Sequence, residues 1–284
     1  MIHTCLLAGG DIRQRMMAAM LLQKGMTVYA VGLEHCVQLP GDVRPWDEAA
    51  PPVDLAVLPV PATRDGATLN APYAAGPLPL NAIIDRLPAG CRLCGGMVPP
   101  AVAELCLKKH MTLFDYGKEE RFLQQNALLT AEGAIEIALR NTSRQLEGAP
   151  VCVVGYGRIG RILANKLQAL GCRVTVAARR PEARQEALAL HMKAITTNEL
   201  PNHAFAVIFN TAPAPVIDAA AIAAQPDHCL LIDLASPPGG VDKQAARRRG
   251  LRHIHALALP ARCAPASAAD IIWQTIAHHF EETD

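Results

Sequence analysis

Gly155, Gly157 and Gly160 stand in VVGYGRIGR, directly after the apolar run VCVV and before RIGRILANKLQAL, a segment of helical periodicity closed by Gly171. The first glycine permits a tight turn, the second lets the backbone approach a pyrophosphate, and the third lets the helix lie close on the strand. Amides and the positive dipole end of that helix then face the phosphates. Glycines at this spacing arise by chance; the strand before and the helix after turn them into a dinucleotide fingerprint rather than a plain tight turn. The candidate contacts are Gly155, Tyr156, Gly157, Arg158, Ile159 and Gly160.

The next strand reads VTVAARR, ending in Arg179 and Arg180. A carboxylate about 20 residues past the glycine turn ordinarily accepts hydrogen bonds from the adenosine ribose. No acid stands there, and two guanidinium groups suit a 2′-phosphate. The expected cofactor is therefore NADP(H). The alternative is that one or both arginines are solvated residues ahead of Pro181.

Loops after the later strands should face the reactive end of the cofactor. They read FNTAPAP (209–215), DLASPPGGVD (233–242) and LPARCAPASAAD (259–270), poor in titratable groups. Asn210, Thr211, Ser236 and Ser267 are candidate contacts, with turn and cap roles open to each. In LLAGGDIRQ, Asp11 reads as a helix cap. Arg13 reads either as a partner for a substrate carboxylate or as a surface residue.

Short apolar runs alternate with helical patterns along the chain, the signature of parallel sheets with crossover helices. Strands are expected at 2–8, 26–32, 55–60, 91–94 and 111–116, and again at 151–155, 173–178, 205–210, 229–235 and 251–258. The fold class is α/β, with two doubly wound parallel-sheet domains. A flavodoxin- or Rossmann-like substrate domain is placed at 1–118 and a connecting helical segment at 119–148, either one long helix or a helix pair broken at Gly133. A nucleotide-binding domain follows at 149–266, then a C-terminal helix at 267–284 that folds back on the first domain. The Pro- and Gly-rich stretch 59–81 reads as a functional loop.

With 284 residues, 51% hydrophobic and a formal charge of +1, the chain has no global field to recruit nucleic acid or an anionic membrane. The first apolar run is too short for a bilayer span and lacks a basic leader, so a cytoplasmic protein is expected. Nine cysteines suit reduced, mostly buried thiols. Cys91 and Cys94 have CxxC spacing, but no second ligand pair completes a tetrahedral site, so core cysteines and no metal are expected.

In order and spacing, GGDIRQ, LPVPATRDGATLNAPY, NALLTAEGAIEIAL, VVGYGRIGR, AARR, NTAP, DLASPPGGVD and LPARCAP resemble the A-subunit family of dipicolinate synthase. The resemblance covers essentially the whole chain; Ala261, Ser267 and Ala269 stand where the family has glycine, threonine and glycine. It implies NADP-dependent oxidation of a dihydrodipicolinate-type precursor to pyridine-2,6-dicarboxylate, in a sporulation branch off lysine biosynthesis. It further implies the mother cell of a sporulating bacterium as the setting and, for a partner, a flavoprotein-like B-subunit, hence an oligomer. Loop position and the resemblance together mark Arg13, Thr63, Asn126, Thr130, Ser236 and Arg262 for the dicarboxylate. Aromatisation makes hydride loss downhill, so positioning is the main demand and no acid/base residue is singled out.

Two other readings remain. A D-2-hydroxyacid dehydrogenase needs a histidine near the last strand's end. LPARCAPASA has none, and His253 and His255 fall inside the preceding strand. A protein that binds NADP(H) without turnover would also suit loops so poor in titratable groups.

Overall fold

A computed structural model describes residues 2–283, which form two compact units, 2–125 with 264–283, and Asn126–Cys263. The first begins with β1 (Thr4–Ala8), α1 (Ile12–Gln23), β2 (Thr27–Val31), β3 (Arg44–Pro45) and β4 (Leu55–Val57). It continues with α2 (Leu80–Arg86), β5 (Arg92–Gly95), α3 (Pro100–Lys108) and β6 (Thr112–Asp115). All strands are parallel, in the order β3-β2-β1-β4-β5-β6. Pro100 opens α3, where its fixed φ is preorganised and no amide is needed.

The helix α4 (Glu120–Asn141) leads into the second unit, where β7 (Pro150–Val154), α5 (Arg158–Ala169), β8 (Arg173–Ala177), α6 (Pro181–Ala189) and β9 (Lys193–Ile195) follow. Then come β10 (Val207–Asn210), α7 (Ala219–Ala223), β11 (Leu230–Asp233), α8 (Lys243–Arg249) and β12 (Arg252–His255), and the short helix α9 (Leu259–Cys263). This sheet is also parallel, ordered β12-β11-β10-β7-β8-β9. Counted from its own first strand it repeats the first sheet's order, so each unit has one point where the order reverses: β1/β4 in one, β7/β10 in the other.

Both faces of each sheet are covered, as a parallel sheet requires. Leu163, Leu167, Ala183, Ala134 and Ala138 close one face of the second sheet, and Ile217, Ala221, Ile222 and Ala245 the other. The last helix, α10 (Pro265–Thr283), packs on α1 in the first unit. Its Ile272, Ile276 and Phe280 are buried beside Met17 and Leu21, burial that contributes roughly 1.5–3 kcal/mol per side chain.

Three features depart from the expectations above. Each sheet has six strands rather than five, because β3 and β9 are two- and three-residue edge strands too short for a period to show. Gly133 does not break α4: a Cβ there would stand 3.0 Å from Leu259 Cβ and Cys263 Sγ, so this glycine permits close packing. The stretch 259–270, read as a loop, forms α9 and the first residues of α10, with Pro260 and Pro265 tolerated at helix starts.

Candidate dinucleotide-binding site

The glycine turn lies at the carboxyl end of β7, at the reversal point of the second sheet. Gly155 has φ +89, a left-handed conformation costly for any residue with a side chain. A Cβ on it would stand 2.5 Å from Thr211 Oγ1. That hydroxyl donates to Val154 O at 3.0 Å, so Thr211 braces the turn from β10. A Cβ on Gly160 would run into the Gly155 carbonyl oxygen. Packing within the protein thus requires both glycines.

Gly157, which precedes α5, differs. A Cβ there would meet nothing within 4 Å. The absent side chain leaves open space in front of the helix amides, the cradle a pyrophosphate needs.

Beside the turn lies a pocket of about 300 Å³ whose lining includes Tyr156, Gly157, Arg179, Arg180, Thr197 and Thr211. No acidic residue lines it. The strand-end backbone is clamped from α6, where Arg184 Nη1 donates to Ala178 O and Arg179 O, each at 2.7 Å. Arg179 and Arg180 are themselves exposed. Tyr156 Oη is buried and has no partner among the described residues. Arg158 starts α5 on the exposed side, and Ile159 is half-buried against the core. These residues fit a dinucleotide. A larger cavity of about 680 Å³, lined by Leu146, Pro150, Phe205 and Leu230, opens at the opposite, amino end of the same strands, away from the reversal point.

Asn210 is not on this pocket. Its amide is fully buried and engaged: Nδ2 donates to Asp233 Oδ1 at 2.7 Å and to Ala212 O at 3.0 Å, while Oδ1 accepts from Ala212 N at 3.1 Å. Asp233, also fully buried, accepts from Ala235 N at 3.1 Å and Gly240 N at 2.8 Å. The pair ties the loop after β10 to the loop after β11. Sequence reasoning misses Asp233, since an acid at a strand end in DLASPPGG reads equally as a turn former.

His255 Nε2 donates to Ala235 O at 2.8 Å, holding the same loop from β12. His253 Nε2 is buried with no partner among the described residues. Burial lowers His253 below the usual histidine value, with His255 and Lys243 acting in the same direction and Asp233 against it. The unfolded chain therefore takes up this proton first, so stability falls as pH drops through 6.5 toward the lowered value. The urea midpoint should decline between about pH 7 and 5.5, and decline less in His253→Gln. Equal slopes for both chains would rule out this origin.

The candidates for a dicarboxylate fall in both units. Arg13 is buried and held: Nε and Nη2 donate to the two Asp11 oxygens at 2.8 Å, and Nη2 also to Val60 O at 2.8 Å. Thr63 donates to Asp65 Oδ1 at 2.9 Å. On α4, Asn126 is half-buried, and the Thr130 hydroxyl donates back to Asn126 O at 2.8 Å. Ser236 and Arg262 are exposed. Cys91 and Cys94 are buried free thiols; burial pushes Cys91 up to about 12 and Cys94 well above its usual value, so neither supplies a thiolate near neutral pH.

A parallel sheet of this order, a glycine turn at its reversal point and a pocket alongside define a dehydrogenase-type, nicotinamide-nucleotide-binding domain. Known families agree: residues 120–245 match the D-isomer specific 2-hydroxyacid dehydrogenase, NAD binding domain family, and residues 4–117 match the family of the N-terminal domain of the dipicolinate synthase A-subunit. The chain as a whole is similar to the A-subunit of dipicolinate synthase. It is 27% identical over 274 residues to that protein of Bacillus subtilis (strain 168), covering 93% of this chain and 91% of that one. The crystal structure of the Bacillus halodurans A-subunit superposes with a TM-score of 0.83 at 27% identity, covering 97% of each chain. A transhydrogenase from Sinorhizobium meliloti, 15% identical with a TM-score of 0.69, covers 98% of this chain and 94% of its own and shares the fold. No helix among the described residues is long and apolar enough to cross a membrane.

Proposed function

We propose that this chain is an NADP-dependent oxidoreductase that converts a dihydrodipicolinate-type precursor to pyridine-2,6-dicarboxylate, serving as the A-subunit of a dipicolinate synthase in the cytoplasm of a sporulating mother cell. The observation that carries the cofactor reading is the pocket beside the glycine turn, with Arg179 and Arg180 on its wall and no carboxylate to receive a ribose 2′-hydroxyl. The likeness to the dipicolinate synthase relatives supports the substrate.

A nicotinamide held in this pocket would supply hydride acceptance from a ring carbon, and loss of that hydride with a proton leaves the substrate ring aromatic. The chain's own residues then have three tasks. The helix amides at Gly157 hold the pyrophosphate, the arginines hold the 2′-phosphate, and the loops tied by Asn210 and Asp233 shape the reactive end. None of these is an acid/base role, which accords with loops poor in titratable groups. A partner, the flavoprotein-like B-subunit, is part of this reading, and the naming of the relatives by subunit supports it.

The match of residues 120–245 to the 2-hydroxyacid dehydrogenase family favours a second reading, reduction or oxidation of a 2-hydroxy acid. Against it, residues 256–270 carry no histidine.

Fluorescence titration with NADPH and NADH checks the cofactor. The wild type should bind NADPH at least about tenfold more tightly, and Arg179→Ala should bring the two affinities together, since a charge-assisted contact contributes about 1.5–3 kcal/mol. Tighter binding of NADH by the wild type would overturn the NADP reading.

A further inference from the structure

The first unit has its own reversal point, between β1 and β4, and ligands of such sheets sit outside the carboxyl ends of the strands there. The loop at 58–79 leaves β4 at that place and closes it. Gly10 N donates to Asn70 O at 2.8 Å, and Ala62 N donates to Gly96 O at 2.8 Å. Leu69 Cδ2 lies 2.8 Å from where a Gly9 Cβ would stand. The glycine turn of this unit is thus covered by its own chain and has no room for a second pyrophosphate.

What remains open is a pocket of about 450 Å³ on the loop itself, lined by Arg64, Asp65, Thr68, Leu69, Asn70 and their neighbours. Arg64 is oriented within it. Its Nε donates to Asn70 Oδ1 at 3.1 Å, and Asn70 is fixed in turn by its Nδ2, which donates to Pro61 O at 3.0 Å. The two Nη groups have no protein partner among the described residues and present a planar fork of the kind that takes a carboxylate bidentately. Arg13, by contrast, already faces the Asp11 carboxylate. Asp65 counts against an anion, but its Oδ1 is turned into the loop, accepting from Thr63 Oγ1 at 2.9 Å, Ala67 N at 2.9 Å and Thr68 N at 2.7 Å.

We propose that this loop pocket is a small-carboxylate site, with Arg64 as the anchor and Asn70 as the residue that orients it. In the function proposed above, on which its ligand rests, it would receive one carboxylate of the ring dicarboxylate.

The test is calorimetric titration of the full chain with pyridine-2,6-dicarboxylate and, separately, malonate at matched ionic strength, for the wild type, Arg64→Met and Asn70→Ala. Circular dichroism and NADPH affinity serve as controls for folding. Arg64→Met should weaken both ligands at least about tenfold, and Asn70→Ala less, with NADPH binding unchanged. Malonate bound through Arg64, with no affinity for the pyridine dicarboxylate, would keep the site and overturn the substrate reading. Equal binding by wild type and Arg64→Met, or no binding of either probe to the wild type, would overturn the site.

Discussion

An Asp233→Ala chain is expected to lose about 3–5 kcal/mol of stability, because three buried donors lose their acceptor at about 1–3 kcal/mol each. The cause is what remains behind: Asn210 Nδ2, Ala235 N and Gly240 N, all directed at a carboxylate no longer there. A domain stable by about 5–15 kcal/mol would be left marginal. Urea unfolding monitored by circular dichroism measures the loss. Removing Asn210 as well should cost less than the sum of the two single changes, because its amide no longer lacks an acceptor. A loss below about 1 kcal/mol in the single variant would mean that water replaces the carboxylate, and the loops would not depend on this pair.

The glycines of the fingerprint should separate into two kinds when each is changed to alanine. Gly160→Ala places a methyl against the Gly155 carbonyl oxygen, a backbone atom that cannot swing away. Overpacking of this sort costs about 1–3 kcal/mol and should move α5 off β7, abolishing nucleotide binding along with part of the stability. Gly157→Ala meets no protein atom within 4 Å. Its stability should fall by no more than about 1 kcal/mol, the cost of a poorer residue ahead of a helix. Its nucleotide affinity should fall more than tenfold, because the methyl stands where the phosphates approach. Thermal melting and NADPH titration on the same samples distinguish the two. Full affinity in Gly157→Ala would place the phosphates elsewhere.

The sheets are legible in the sequence because apolar runs such as VCVVG and CLLIDLA are buried on both faces and bounded by glycine, proline or aspartate. The edge strands Arg44–Pro45 and Lys193–Ile195 are not, since neither is long enough to carry a period. The glycine turn can be read down to single residues because each has a separate steric reason. For Asn210 the sequence shows only its position at a strand end, whereas its bond to Asp233, 23 residues away, is not visible there. Arg64 escapes notice because what makes it available is the way Asn70 holds it, whereas Arg13 stands out beside a glycine turn and is engaged by its neighbour Asp11.

The packing of α10 against α1 also sets an order of events during synthesis. The unit that begins the chain lacks part of its packing until residues 265–283 have been made, because α10 belongs to it and lies on α1. Domains usually finish in the order in which they are translated. Here the first unit cannot finish before the last helix is made, and until Ile272, Ile276 and Phe280 arrive, the apolar face of α1 that bears Met17 and Leu21 lacks its cover.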